Sequence, residues 1–338
     1  MAKAISPGII ELKENKVPSL MDTQVLIKIK ASSICGSDLH IYKGKHPSAP
    51  LPVAIGHELS GDVIAVGTKV NKVKVGDRVT VEPVIACGEC PYCQKGEYGY
   101  CVSLSYHYRK GQGALANYFI ADERYVYILP EEISYNEGAL IEPVAVAVHA
   151  VKRAKVTLGD RVAIIGAGAI GLLITALAKR AGATEIVVAD LDDFRLKMAK
   201  EFGATRIINS SRYSLETEIS ELTNNMGIDK TFECVGLERT LVQAMSLLRK
   251  GGLATVIGIF EQPNVSIPAS LFVSKEITVQ GSQGYCWDFD TAIALAKELK
   301  LERLITHIFS LEEINKGFVT ALDPKVKAIK VVINPNNP

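Results

Sequence analysis

One short stretch near the middle of the chain limits the fold more than any other. The apolar run Arg161–Ile165 predicts a buried β-strand. Gly166, Gly168 and Gly171 follow it and open an uncharged, helix-forming segment. A second β-type run then ends at Asp190. Strand, glycine-rich turn, helix and strand in this order predict a βαβ unit of a parallel, doubly wound sheet.

The glycine-rich turn has the spacing of a dinucleotide site. Its glycines let the backbone approach a pyrophosphate closely, and the helix N-terminus supplies N–H groups and partial positive charge. Asp190 is placed to hold the ribose hydroxyls, and its charge repels the extra phosphate of NADP, so NAD is the expected cofactor. Arg195 has three open interpretations: an adenine stack, a phosphate contact or a solvated helix charge. The predicted cofactor residues of this region are Gly166, Gly168, Ala169, Ile170, Gly171, Asp190 and Arg195.

Four cysteines form the second informative pattern. They follow the spacing Cys-x2-Cys-x2-Cys-x7-Cys and are Cys87, Cys90, Cys93 and Cys101. This is the closed, four-thiolate layout of a structural zinc site.

Composition excludes several classes of protein. Lys and Arg number 38 against 37 Asp and Glu, and they are dispersed, so no net field favours nucleic acid or a membrane surface. The longest uncharged run, residues 162–178, is short for a membrane span and contains the glycine-rich turn. The first residues lack the apolar core of a signal peptide, and the cysteines have metal spacing, so we expect a cytoplasmic protein.

The order of predicted elements indicates two domains. The chain is rich in short β-type runs up to about residue 145 and alternates strand and helix from there to about residue 285. The tail carries an amphipathic helix, Leu311–Leu322, and a last strand, Ala328–Ile333, and is too short to be a domain alone. We therefore expect a mainly β catalytic domain from residues 1–146 and 286–338, and a dinucleotide-binding domain from residues 147–285.

Five motifs together resemble those of the zinc-dependent medium-chain alcohol dehydrogenases, in the branch of the sorbitol, butanediol and threonine dehydrogenases. In chain order they are Cys35-Gly-Ser-Asp-x-His40, Gly56-His-Glu-x-x-Gly61, the four-cysteine segment, Glu142-Pro143 and the glycine-rich turn. The resemblance covers the whole length. It implies a GroES-like catalytic domain, a Rossmann domain that binds NAD, and two zinc ions per subunit, one catalytic and one structural.

The resemblance also implies the ligands of the catalytic zinc: Cys35 and His57, completed by Glu58 or by Glu142. Reasoning from the residues leaves that choice open. His57 and Glu58 would point to opposite faces of a regular strand, so both can bind a metal only if the chain bends after Gly56. Three anionic ligands would overcompensate Zn²⁺ and weaken it as a Lewis acid. We expect the two glutamates to exchange roles, or Glu142 to bind through water.

Further roles follow from the same resemblance. Ser37 and His40 are placed as a proton relay, although His40 has the alternative of a surface histidine. Asp38 either orients the zinc histidine or caps a local turn. Ile257 and Ile259 match positions that flank the nicotinamide.

The expected activity is the reversible oxidation of a secondary alcohol or small diol to a ketone by a homo-oligomer, a dimer or tetramer. Gly284 stands where sorbitol dehydrogenases carry an arginine, which favours short diols over long polyols. One alternative is a sugar alcohol, including phosphorylated ones, or threonine as substrate. Another is a nucleotide-binding relative without catalysis, for which a proton relay beside a metal site would have no use.

Overall fold

A computed structural model describes residues 1–335, so the last three residues of the tail lie outside the description. The strands, in chain order, are β1 (Ala2–Ser6), β2 (Ile9–Leu12), β3 (Gln24–Ser33), β4 (Val53–Ala54), β5 (Glu58–Val66), β6 (Arg78–Val81), β7 (Val84–Ile85), β8 (Ser105–Tyr106), β9 (Tyr118–Asp122), β10 (Val126–Ile128), β11 (Arg161–Ile165), β12 (Glu185–Asp190), β13 (Arg206–Asn209), β14 (Ile228–Glu233), β15 (Leu248–Val256), β16 (Thr278–Gly281), β17 (Ile305–Ser310) and β18 (Lys330–Asn334).

The α-helices, in chain order, are α1 (Gly36–Tyr42), α2 (Pro91–Gln94), α3 (Tyr135–Gly138), α4 (Ile141–Ala154), α5 (Ala169–Arg180), α6 (Asp193–Glu201), α7 (Leu215–Leu222), α8 (Glu238–Ser246), α9 (Ser270–Ser274), α10 (Phe289–Ala296) and α11 (Ile314–Leu322). Short 3-10 turns lie between some of these elements. No helix within residues 1–335 combines the length and the apolar character needed to cross a bilayer.

The chain divides into two compact units. The first comprises Met1–Pro143 together with Cys286–Pro338, and the second is Val144–Tyr285. The observed junction, Pro143/Val144, lies a few residues before the junction expected at residues 146/147. Both positions fall within α4. Since α4 is one continuous helix, the sequence carries no break that would mark the division.

The first unit is mainly β, as its short β-type runs predict. Its largest sheet has the order β10-β6-β5-β3-β18-β17, with β9 paired to β3. The tail strand β18 pairs antiparallel with β3, which places this strand in the first unit. Alternate residues of β3, such as Val25, Ile27 and Ile29, are fully buried in its core. This pairing brings β3, β5 and β18 side by side under the candidate metal ligands.

The second unit is a parallel sheet of order β13-β12-β11-β14-β15-β16, which is the doubly wound arrangement predicted from the sequence. The predicted bounds of β11 and the predicted end of β12, Asp190, agree with the structure. Because all the strands are parallel, their carboxyl ends meet at one edge of the sheet. Ligands of such sheets bind at this edge, where the strand order reverses beside the first strand.

Candidate active site

Three predicted metal ligands, Cys35, His57 and Glu58, converge in the first unit. Cys35 precedes α1, His57 precedes β5, and Glu58 is the first residue of β5. One ligand atom from each lies within 4.8 Å of the others. The pairing of β3 with β5, in which Ser33 faces Glu58, brings the segments together.

A bend at Gly56 places two adjacent ligands at one point. Gly56 has φ +88°, in the left-handed region that favours glycine. A Cβ atom there would lie 2.6 Å from the backbone nitrogen of Leu115, so a side chain would also clash. The chain therefore turns just before the strand begins, as the adjacency of His57 and Glu58 requires.

Asp38 ties the two ligand segments together. Its fully buried carboxylate accepts hydrogen bonds from the backbone nitrogens of Cys35, at 3.0 Å, and Gly56, at 2.9 Å. Its Oδ1 also lies 3.7 Å from Nδ1 of His57. The turn-capping contact is thus present, and the histidine faces the same carboxylate at a distance longer than a hydrogen bond.

The electrostatics of the site suit a cation. Burial by itself would lower the pKa of His57, but Asp38, Cys35 and Glu142 outweigh it and hold that pKa well above its ordinary value. The Nδ1 atom of His57 is buried and has no hydrogen-bond partner within residues 1–335. A thiolate, an imidazole and a carboxylate in a negative environment are a fitting ligand set for catalytic zinc.

Glu58 has a partner that the sequence analysis does not foresee. Nζ of Lys330, on β18, lies 2.5 Å from both carboxylate oxygens of Glu58, and the Ser33 hydroxyl also donates to that carboxylate. Burial would lower the pKa of Lys330, but the charges of Glu58 and Cys35 raise it above its ordinary value. The buried ammonium offsets one of the negative charges around the metal site.

Glu142, at the start of α4, is buried but lies outside the group of three close ligands. Its charge nevertheless acts on both His57 and Lys330. The structure therefore groups Glu58, and not Glu142, with Cys35 and His57.

Helix α1 and two loops, residues 43–52 and 103–113, contribute residues near these ligands. Ser37 and His40 lie half-buried on α1. The pKa of His46 is lowered, first by burial and then by the charges of His40 and Arg109, while Asp38 acts in the opposite sense. The ring of Tyr108 lies 6.2 Å from that of His57. Arg109 stacks over Tyr108, with its Cζ atom 5.8 Å from the ring centroid.

The four-cysteine segment forms a separate cluster in the same unit. Sγ atoms of Cys87, Cys90, Cys93 and Cys101 all lie within 4.8 Å of one another. Backbone N–H groups of Cys93 and Val102 lower the pKa of Cys90 to about 6. Desolvation and then the neighbouring cysteines raise the pKa of Cys93. Four close sulfurs cannot all carry negative charge without a cation, so the cluster fits a structural zinc.

In the second unit, the glycine-rich turn has the shape of a phosphate cradle. Gly166 directly follows β11 and has φ +100°, and a Cβ at Gly171 would lie 1.9 Å from the carbonyl oxygen of Gly166. Gly168 immediately precedes α5, and a Cβ there would meet only Nη1 of Arg195, at 4.0 Å. The open space over Gly168 and the first residues of α5, Ala169 and Ile170, fits the pyrophosphate of a dinucleotide.

The remaining cofactor candidates lie at the same edge. Asp190 ends β12 and accepts hydrogen bonds from the backbone nitrogens of Ala167, at 2.7 Å, and Leu191, at 2.8 Å. Arg195, on α6, has its guanidinium beside Gly168, which favours the phosphate interpretation over the adenine stack. Ile257 and Ile259 follow β15.

Glu233, at the end of β14, belongs to this edge of the sheet although no motif in the sequence marks it. Its buried Oε1 accepts hydrogen bonds from the nitrogens of Val235 and Gly236 and from the Thr240 hydroxyl. The backbone nitrogen of Ile257 in turn donates to its carbonyl oxygen. Glu233 thereby fixes the two loops after β14 and β15. A buried acid closing an apolar strand, like a buried lysine in β18, is a sequence signal that could have identified both residues.

Comparisons with known proteins agree with this geometry. Residues 21–131 match the family model "Alcohol dehydrogenase GroES-like domain", and residues 169–298 match "Zinc-binding dehydrogenase". Sorbitol dehydrogenase of Bacillus subtilis is 35% identical over 97% of this chain and 94% of its own length. D-arabitol-phosphate dehydrogenase of Enterococcus avium is 35% identical over 95% and 92%. The crystal structure of 2R,3R-butanediol dehydrogenase from Bacillus subtilis has a TM-score of 0.89 at 34% identity, covering 99% of both chains.

Proposed function

Because the chain belongs to the zinc-dependent alcohol dehydrogenase family, we propose that it oxidises the secondary alcohol of a small diol or polyol reversibly to a ketone. The observation that carries the proposal is the convergence of Cys35, from one motif, with His57 and Glu58, from another, at one largely buried point. A redox-inactive nucleotide-binding protein would have no use for this second, buried metal site.

The residues of the chain have separable tasks in this reaction. Cys35 and His57, with Glu58, would hold a catalytic zinc, and Asp38 keeps their segments in place. When bound, the zinc would supply Lewis-acid polarisation that makes the proton of the substrate hydroxyl easier to remove, and NAD would supply the hydride acceptor. Ser37 and His40, next along the chain from Cys35, are our candidates for moving that proton to solvent. Ile257 and Ile259 are our candidates for the nicotinamide contact.

We propose NAD as the preferred cofactor, because Asp190 supplies a carboxylate where NADP would place a phosphate. Changing Asp190→Ser should lower the catalytic efficiency with NAD and raise the catalytic efficiency with NADP. Arg195 would contribute to the gain with NADP. Catalytic efficiencies with both cofactors, in the wild type and the variant, test this. A wild-type enzyme that already prefers NADP would contradict it.

The two cysteine-containing clusters support a content of two zinc ions per subunit, which metal analysis of the purified protein would check. We further propose a cytoplasmic homo-oligomer, a dimer or tetramer. Cysteines at metal spacing suit a reducing compartment. Light scattering behind size-exclusion chromatography would measure the oligomeric state.

The identity of the substrate is the most specific part of the proposed function. Without an arginine at Gly284, a neutral five- or six-carbon polyol would bury hydroxyls that lack partners, at about 1–3 kcal/mol each, so short diols are favoured. The likeness to a sorbitol and a D-arabitol-phosphate dehydrogenase favours a longer polyol as second candidate. Catalytic efficiencies for 2,3-butanediol, sorbitol, xylitol and threonine, followed by NADH absorbance, decide between them. A sorbitol value at least about tenfold above butanediol would overturn the first choice.

A further inference from the structure

Two loops beside the metal ligands carry only one sign of charge. The first loop, residues 43–52, contains the charged residues Lys43 and Lys45, and the second loop, residues 103–113, contains Arg109 and Lys110. Neither loop contains an Asp or a Glu. The chain as a whole has 38 basic and 37 acidic residues, so this separation is a local property of the two loops.

Arg109 joins the two loops through neutral contacts. Its Nη2 donates to the Ser48 hydroxyl at 2.6 Å, and its Cζ lies 5.6 Å from the Tyr106 ring and 5.8 Å from the Tyr108 ring. No salt bridge to Arg109 exists within residues 1–335. The guanidinium is exposed, lies near two aromatic faces and has no carboxylate partner among these residues, so its donors other than the one on Ser48 can bind a ligand.

The guanidinium also belongs to the surroundings of the metal ligands. Tyr108 stacks under Arg109 and its ring lies 6.2 Å from that of His57, so one aromatic ring separates Arg109 from a metal ligand. His46 belongs to the same neighbourhood, because the charges of both Arg109 and His57 act on it. Its Nδ1 accepts a hydrogen bond from the backbone nitrogen of Ser48, at 3.2 Å.

The base of the second loop is fixed. The side chain of Gln112 exchanges two hydrogen bonds with the backbone of Ile120, at 2.7 and 3.0 Å, and contacts the ring of His107 at 3.0 Å. Burial lowers the pKa of His107 to about 4, so this histidine is a neutral support. Arg109 is therefore presented from a preorganised loop, which reduces the entropy cost of binding.

We propose that Arg109, with Ser48 and His46 beside it, binds an anionic group on the substrate, a phosphate monoester or a carboxylate, remote from the reacting hydroxyl. This inference rests on the proposed function and narrows its substrate class. Arg binds both groups in a bidentate manner, and the surrounding basic residues add favourable long-range charge.

The test measures kcat/KM of the zinc-loaded enzyme with NAD for matched pairs of substrates. Sorbitol is compared with sorbitol 6-phosphate, arabitol with arabitol 5-phosphate, and L-idonate supplies the carboxylate; 2,3-butanediol is the small neutral reference. We expect at least one anionic substrate to exceed its neutral counterpart by about tenfold or more. The phosphate and carboxylate arms identify which anion is bound.

Variants then assign the preference to its residue. Arg109→Gln should lower the ratio of anionic to neutral kcat/KM by about tenfold, while Arg109→Lys, which keeps the charge, retains part of it. Arg206→Gln is the matched control, since Arg206 begins β13, at the amino end of the second unit's sheet.

The outcomes separate the two proposals. An anionic-to-neutral ratio near one in the wild type, or a ratio that Arg109→Gln leaves unchanged, overturns the anion site while butanediol turnover still supports the proposed function. Absence of turnover with every alcohol, neutral or anionic, overturns the proposed function itself. Should Arg109→Gln fail to fold, the wild-type ratio and Arg109→Lys still decide the question.

Discussion

The two cysteine-containing clusters of the first unit differ in how far along the chain their ligands lie. The four-cysteine cluster draws all its ligands from residues 87–101, and its immediate support is local backbone, such as the nitrogen of Cys90, which donates to Sγ of Cys87 at 3.4 Å. The buried cluster joins Cys35 to His57 and Glu58 and is supported by Lys330, almost 300 residues after Cys35.

This difference separates a site that organises itself from one that the fold must organise. In the four-cysteine cluster, metal binding would order its own segment, as in other closed thiolate sites. In the buried cluster, Asp38, Ser33 and Lys330 position the ligands through hydrogen bonds and charge. We therefore expect loss of metal to reduce the stability of the fold at the four-cysteine cluster and to reduce catalytic turnover at the buried cluster.

The largest expected effect follows from removing a ligand of the buried cluster. Cys35→Ser or His57→Ala should abolish turnover while leaving folding and NAD binding largely intact, because the ligands lie in the first unit and the glycine-rich turn in the second. Turnover, circular dichroism and cofactor titration measure the three properties. If either variant keeps more than a few per cent of the wild-type rate without added metal, the zinc mechanism is wrong.

Cys93→Ser or Cys101→Ser should have the opposite profile. Structural zinc contributes roughly 10–16 kcal/mol of apparent binding free energy at pH 7 in zinc-finger peptides, so losing one thiolate should lower stability and zinc content strongly. Activity per folded molecule should change less. Unchanged zinc content in Cys93→Ser would show that the cluster does not hold a metal.

The sequence predicts these two clusters unequally, for a physical reason. Four ligands in one short segment are visible as spacing, and the βαβ unit with its glycines and Asp190 is equally local. Lys330 and Arg109 acquire their roles only when strand pairing and loop packing bring them to Glu58 and to Tyr108. The local pattern around either residue does not indicate its partner, because the two partners meet only in the three-dimensional fold.

A third change tests whether Lys330 supports the buried cluster. Lys330→Met removes a buried cation and leaves Glu58 with an uncompensated charge, which should cost about 3–5 kcal/mol of unfolding free energy. Denaturant unfolding measures the change, and Lys316→Met, in an exposed ion pair with Glu313, is the matched control at about 0–1 kcal/mol. Equal effects of the two substitutions would mean that Lys330 is dispensable.

The smallest expected effect concerns the contact that attaches the four-cysteine segment to the core. Tyr98, which lies within that segment, donates a hydrogen bond of 2.6 Å to the buried carboxylate of Glu82, and Tyr127 donates another of 3.1 Å. Burial raises the pKa of Glu82 from 4.5 to about 7, although both hydrogen bonds act in the opposite sense. Asp288 also raises this pKa, and Lys72 lowers it.

This shift gives a pH dependence with a definite sign. Because the folded pKa of Glu82 lies above its unfolded value, folding takes up a proton, and stability falls as the pH rises from 4.5 to 7, by about 3 kcal/mol at most. Thiolate ligands act in the opposite direction, since metal binding releases protons, so only the difference between wild type and Glu82→Gln isolates the carboxyl group. The unfolding free energies of the wild type and Glu82→Gln should be similar near pH 4.5. Toward pH 7 the variant should become the more stable of the two. A constant difference across this range would mean that Glu82 stays ionised, and that the four-cysteine segment is attached by a charged carboxylate that its tyrosine partners fully satisfy.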